Sequence, residues 1–119
     1  MKLWIVNSFS LQMLSAGNRR ITGATLQVEP VSDPAKLINE WKYKGGTVES
    51  AIEHKDLAAI ISKRLNMKIE VNRASIRLDL SSALLVCQYL RPQLPEGTTE
   101  LPIPKHEDED LCWMEVYLF

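Results

Sequence analysis

The order of apolar and polar residues along the chain predicts five strands. Each of five segments is either continuously apolar or alternates between apolar and polar positions, the two patterns typical of buried and half-buried strands. These segments are residues 2–7, 18–32, 67–80, 83–90 and 111–119. Ser81 and Ser82 separate the third segment from the fourth, so we expect these two strands to pair as a hairpin. Residues 8–14 form a short helical turn at most.

Two further segments carry their apolar residues on one face at helical spacing. The first predicted helix, residues 32–46, has Ser32 or Asp33 as its cap and Pro34 in its first turn, and two glycines end it. The second predicted helix runs over about residues 51–65. Its apolar residues lie at positions i, i+3, i+4 and i+8, a spacing that predicts one buried face.

The start of the second helix carries a pattern that bears on chemistry. Ser50 and Glu53 have the spacing of a capping box, in which the two side chains bind each other's backbone N–H groups. His54 then falls in the first turn, where a helix presents unpaired N–H donors and partial positive charge. The pattern alone leaves open whether His54 is a solvated surface residue or a proton donor beside an anion site.

The element order β, β, α, α, β, β, β favours an α+β fold. We expect a mixed sheet of about five strands with the helices mainly on one face. The chain has 119 residues, of which 45% are hydrophobic and 24% charged, and this fits one globular domain over residues 1–119. Residues 91–110, with four prolines, are expected to form a long loop, a feature that is often functional.

Charge and composition narrow the classes of function. The net charge of −1 argues against long DNA or RNA as a partner, because phosphate neutralisation needs a basic face, whereas a small anionic ligand needs only a few cations. No apolar stretch approaches the roughly 20 residues of a membrane span, and the first residues do not resemble a signal peptide. Cys87 and Cys112 are isolated, so we expect a reduced, cytoplasmic protein without a membrane partner.

No familiar catalytic spacing is present, but polar residues collect at the edges of the apolar elements. The two histidines are 52 positions apart and lack carboxylates at ligand spacing, so neither a metal nor a cofactor is expected. Strand ends and helix N-termini are common ligand sites. The candidate site residues there are Asn7, Ser8, Ser10, His54, Arg73, Gln88, Arg91 and Glu96. Each also fits a turn, a salt bridge or a strand surface, so the pattern alone does not make them one site.

Five short motifs occur in an order that is found in a known family. They are VNSFSLQML (6–14), SAIEH (50–54), the pair Asn72 and Arg73, Gln88, and RPQLPEG (91–97). With these motifs, over most of residues 3–97, the chain resembles the small viral anti-CRISPR ring nucleases and their CRISPR-associated cellular relatives. Two positions depart from the family pattern. Glu53 replaces a glycine, and Pro92 adds one residue, so that Arg91 matches the family arginine only across a gap.

The resemblance implies an enzyme that needs no metal. The family binds cyclic tetra-adenylate, the second messenger of type III CRISPR signalling, as homodimers, and cleaves it to linear di-adenylates ending in a 2′,3′-cyclic phosphate. The resemblance implies that His54 is the general acid and that Glu96 orients His54 or the ribose, or accepts the 2′-OH proton. Arg73 and Arg91 would balance phosphate charge. The other expected ligand contacts are Asn7, Ser8, Ser10 and Gln88.

Two alternative classes stay open. One is a non-cleaving sponge for the same ligand, and the other is a protein–protein interaction module. Glu53 bears on the sponge, because a carboxylate beside His54 repels phosphate unless the capping box turns it away.

Overall fold

The computed structural model describes residues 1–16, 19–20, 25–89 and 111–118 of the chain. The strands are β1 (Lys2–Val6), β2 (Ser15–Ala16), β3 (Arg19–Arg20), β4 (Leu26–Pro30), β5 (Thr47–Ser50), β6 (Ser82–Tyr89) and β7 (Leu111–Leu118). The helices are α1 (Pro34–Tyr43), between β4 and β5, and α2 (Lys55–Leu65), between β5 and β6. A 3-10 turn covers Leu11–Leu14.

Five of the strands form one mixed sheet in the order β4-β7-β6-β1-β5, and β2 pairs with β3 separately. Strand β1 lies between β5 and β6 and runs parallel to both. Strand β7 is antiparallel to β6 on one side and to β4 on the other. Because β1, β5 and β6 share one direction, their carboxyl ends meet at the same edge of the sheet. We call this the carboxyl edge.

Both helices cover the same face of the sheet. Leu3 and Leu85 from the central strands pack there with Ile38 of α1 and Ile61 of α2, and all four are fully buried. Burying such side chains stabilises the fold by roughly 1.5–3 kcal/mol each. The α+β prediction, with a five-stranded mixed sheet and helices on one face, is confirmed.

The other face of the sheet is covered by irregular chain. Leu84 and Val86 of β6 alternate with the helix-facing residues and pack with Ile76 and Leu78. The backbone N–H of Leu78 also donates to the carbonyl of Met13 in the 3-10 turn, at 2.8 Å. Strand β6 is therefore buried on both sides, which explains its continuous apolar run.

Cys87 belongs to the buried helix-covered face, and Cys112 is half-buried. Burial raises the pKa of the Cys87 thiol to about 12, so this thiol is protonated at neutral pH and packs as a small hydrophobic side chain. Both cysteines are free.

The predicted strand over residues 67–80 and its hairpin with 83–90 are wrong. Among the described residues, the ladder contact of this segment is one isolated bridge between Val71 and Ile52. Ile76 and Leu78 alternate with exposed residues because they cover the second face of the sheet, not because they pair with β6. Strand β6 pairs instead with β1 and β7.

Helix α1 forms as its local signals predict. Asp33 is the N-cap, and its carboxylate accepts a hydrogen bond from the backbone N–H of Lys36 at 3.1 Å. Pro34 occupies the first helical position. Gly45, with φ of +84°, takes the left-handed conformation that lets the chain turn into β5.

Candidate functional site

His54, and not Ser50, is the N-cap of α2, so the predicted capping box is wrong. Ser50 is the last residue of β5, and the helix begins at Lys55. The carbonyl of His54 accepts the first helical hydrogen bond, from Ala58 N–H at 3.0 Å. The exposed imidazole makes no capping hydrogen bond. It therefore projects at the positive end of α2 without a role in closing the helix.

Asn7 lies beside the turn that carries His54. Its side-chain oxygen accepts a hydrogen bond from the backbone N–H of Glu53, at 3.4 Å. The backbone N–H of Ala51 donates to the carbonyl of Ile5, at 2.8 Å, and continues the pairing of β5 with β1. The end of β1 thus holds the turn, and two predicted site residues, Asn7 and His54, come together at the carboxyl edge.

Residues 67–73, which we call the strap, bring Arg73 to the same turn. The backbone N–H of Asn72 donates to the carbonyl of Ile52 at 2.9 Å, and Arg73 follows directly and is exposed. Ile52 is fully buried, so this attachment is fixed by the core. Arg73 and His54 thus lie one and two residues, respectively, from the two partners of one short backbone contact.

Gln88 reaches the carboxyl edge through the sheet register. Val6 pairs with Val86 in the parallel contact of β1 with β6, so Asn7 and Gln88 both lie just beyond that pair. Gln88 is exposed and lies one residue before Tyr89, where β6 ends. Asn7 and Gln88 therefore lie at the same edge of the sheet, at the ends of two neighbouring strands.

The remaining predicted site residues are Ser8, Ser10, Arg91 and Glu96. Ser8 is exposed after β1. Ser10 starts the 3-10 turn, since its hydroxyl accepts from Gln12 N–H at 3.3 Å and its carbonyl from Met13 N–H at 3.0 Å. Arg91 and Glu96 lie outside the described residues, so their predicted roles stay predictions.

Sequence reasoning missed two contributions to this site. The sequence pattern predicts Ser50 as part of a helix cap, whereas its hydroxyl binds the strap and donates to the carbonyl of Glu70 at 2.6 Å. The side-chain amide of Asn72 donates to the carbonyl of Ser50 at 2.9 Å. Both contacts join positions about twenty residues apart, and no local pattern signals such a pairing.

A cleft of about 490 Å³ lies away from His54, between α1 and the amino-terminal end of β6. Its wall includes Trp41, Lys44 and the half-buried Glu115 of β7. Burial raises the pKa of the Glu115 carboxyl, and a hydrogen bond from Trp41 opposes the rise. None of the predicted site residues that the structure describes lines this cleft. A lone glutamate inside the apolar run LCWMEVYLF was the only sequence signal for it.

The described residues carry no cluster of three or more His, Cys, Asp or Glu side chains suited to a metal ion. Across the same part of the chain, neither helix has the length and apolar character to cross a membrane.

Together these features define an α+β protein with a polar site where the first turn of α2 meets the ends of β1 and β6. The chain belongs to the STIV B116-like family, a viral family whose model matches residues 3–105. Its fold is similar to that of B116 of Sulfolobus turreted icosahedral virus, with a TM-score of 0.79 over 98% of this chain and 99% of that one. At 16% sequence identity, this likeness establishes the fold alone. Comparison with curated protein sequences gives no match.

Proposed function

We propose that the protein is a metal-independent ring nuclease that binds and cleaves cyclic tetra-adenylate in the cytoplasm of the host cell. The observation that carries the proposal is the placement of His54: an exposed imidazole at the N-terminus of α2, with Asn7 bound to the adjacent residue. The order of the five sequence motifs supports the same assignment.

The proposed reaction uses the substrate's own nucleophile. The ribose 2′-oxygen attacks the neighbouring phosphorus and forms the 2′,3′-cyclic phosphate, and the bond from phosphorus to the 5′-oxygen breaks. His54 gives its proton to the departing 5′-oxygen, as general acids do in such transfers. Glu96 accepts the 2′-OH proton or orients the ribose, and Arg73 and Arg91 balance charge on the phosphate oxygens. The protein's main task is to hold the attacking and leaving oxygens in line.

The symmetry of cyclic tetra-adenylate is a reason to propose that the protein binds it as a symmetric homodimer. A ring of four identical nucleotides presents equivalent edges, and a two-fold homodimer offers each side chain twice. Two copies of Arg73 and of the α2 N-terminus would face a ring of four phosphates. We propose this dimer as the binding form. Because the dimer presents a few local positive groups twice, the ligand can be bound although the net charge of the chain is −1.

A metal-free cleavage assay tests the proposal. The protein is incubated with cyclic tetra-adenylate in the presence of EDTA, which removes metal ions. The products are then separated and identified by mass spectrometry. We expect linear di-adenylate with a 2′,3′-cyclic phosphate over many turnovers. A ring that stays intact at equimolar protein contradicts the proposed activity.

A second candidate, a non-cleaving sponge, is favoured by Glu53. Because the capping box does not form, Ser50 does not hold the Glu53 side chain, and this exposed carboxylate lies next to His54. Calorimetry decides between the two: tight binding without products supports the sponge. A protein–protein interaction module would show neither binding nor a thermal shift with any cyclic oligoadenylate.

A further inference from the structure

Three hydrogen bonds tie the end of β5 and the turn after it to the strap, and a fourth lies within that turn. Ser50 Oγ donates to the carbonyl of Glu70 at 2.6 Å and accepts from Ile52 N–H at 3.2 Å. Asn72 Nδ2 donates to the carbonyl of Ser50 at 2.9 Å, and Asn72 N–H donates to the carbonyl of Ile52 at 2.9 Å. We call this set the Ser50–Asn72 clamp.

The clamp stands between two of the proposed functional side chains. Arg73 follows Asn72 directly, and His54 lies two residues after Ile52. Ile52 uses both its backbone N–H and its carbonyl in the clamp, and its side chain is fully buried. The backbone positions from which Arg73 and His54 project are therefore set by the same four bonds.

We propose that Ser50 and Asn72 are positioning residues, which fix the distance between the Arg73 guanidinium and the His54 imidazole. This inference rests on the proposed nuclease function. Neither residue needs to touch the ligand. A shift of about 1 Å at a reacting group is enough to slow a reaction by about 100-fold, so loosening the clamp acts on the chemical step more than on binding.

Single-turnover cleavage of cyclic tetra-adenylate by clamp variants tests the assignment. Ser50→Ala removes two of the bonds and Asn72→Ala removes one, and we expect each to lower the rate by about 10- to 100-fold. Affinity is measured by calorimetry in a His54→Ala background, where the ring stays intact, and we expect it to change by less than about threefold. Ser50→Thr keeps the hydroxyl and is expected to restore most of the rate.

Ser62→Ala is the matched control, because Ser62 holds the other end of the strap. Its single hydroxyl proton is shared between the carbonyls of Ala58 and Ile69, at 2.7 and 3.1 Å, and its oxygen accepts from Ile69 N–H at 2.9 Å. We expect this variant to lower the melting temperature as the clamp variants do, but to cleave at the wild-type rate well below that temperature.

The outcomes separate the proposed nuclease function from the positioning role of Ser50 and Asn72. An inactive wild-type protein overturns the proposed function, and the positioning role with it. An active wild type together with a fully active Ser50→Ala overturns the positioning role alone. Equal slowing by Ser62→Ala and Ser50→Ala also overturns it, since the rate would then depend on general stability of the strap.

Discussion

At the scale of single residues, the turn before His54 is held by partners from other segments of the chain. Ser50 and Glu53 carry the spacing of a capping box, yet Ser50 bonds to Glu70 and the N–H of Glu53 bonds to Asn7. A local sequence pattern indicates only the hydrogen bonds that can form within one helical turn. It does not include partners that tertiary folding brings from other segments, and here those partners are used instead.

Replacing His54 separates chemistry from folding. We expect His54→Ala to slow cleavage by at least about 100-fold, the usual contribution of a general acid, while ligand binding persists. His54→Asn is the control, because asparagine is a favourable N-cap and cannot donate a proton as imidazolium does. Equal loss of activity in both variants, with the melting temperature retained in His54→Asn, supports the assignment. Turnover at the wild-type rate in either variant contradicts it.

The charge of Glu53 gives a second test at this scale. Removing a carboxylate near bound phosphates removes a repulsion of about 1 kcal/mol at a solvated surface, so we expect Glu53→Gln to tighten ligand binding by about fivefold. The gain is expected to shrink at high salt, because screening weakens the repulsion. Glu40→Gln on α1 changes the net charge equally and serves as the control. Unchanged affinity in Glu53→Gln would place this carboxylate away from the ligand.

At the scale of elements, the sequence predicts a helix or strand correctly where the residues that determine it lie within the element itself. Helix α1 was predictable because its cap, its proline and its final glycines are all within the segment itself. Strand β5 was missed, because its four residues, TVES, are mostly polar and its pairing with β1 supplies the order. The segment at 67–80 showed correct burial but the wrong pairing, since alternation reports which side is covered and not which partner is hydrogen-bonded.

The cap of α1 offers a test of an element's stability. Asp33→Ala leaves the Lys36 N–H without its side-chain acceptor, so we expect the free energy of unfolding to fall by about 1 kcal/mol. Urea unfolding followed by circular dichroism measures this change. Ser32→Ala, at the exposed residue before the cap, is expected to change stability by much less. Equal effects in the two variants would show that the Asp33 cap adds nothing.

At the scale of the whole molecule, the class of fold was predictable but the strand order was not. Composition and element order favoured a mixed sheet with helices on one face, because few other arrangements bury such elements. That β1 lies between β5 and β6 follows from contacts between distant segments. The placement of Asn7, Gln88 and the turn that carries His54 at one edge depends on that order, so the sequence pattern alone does not predict the geometry of the site.

The pH dependence of stability tests the buried contact between α1 and the sheet. Burial raises the pKa of the Glu115 carboxyl, and the negative charges of Glu29 and Glu40 raise it further. A hydrogen bond from Trp41 and the positive charge of Lys44 lower it. The folded state then binds this proton more tightly than the unfolded state, so Glu115 favours folding at low pH, and this contribution is lost as pH rises through the raised pKa. We expect Glu115→Gln to raise the melting temperature at neutral pH and to reduce its fall between acidic and neutral pH.

Asp79 supplies a control of opposite sign. Hydrogen bonds from Ser81 lower the pKa of this carboxyl, so its contribution is present above the ordinary value of 3.8 and is lost as pH falls through the lowered pKa. Asp79→Asn is therefore expected to lower the melting temperature at neutral pH. A Glu115→Gln variant that follows the wild-type pH curve would remove Glu115 from this account.

The central place of β1 also shapes how the sheet assembles during synthesis. Its two neighbours start at Thr47 and Ser82, far along the chain, so a nascent polypeptide holding only β1 has no partner for either backbone edge. The parallel contact with β6 closes a long stretch of chain, a high contact order that slows folding. Until the ribosome has released β6, the apolar strand stays open to chaperones and to aggregation.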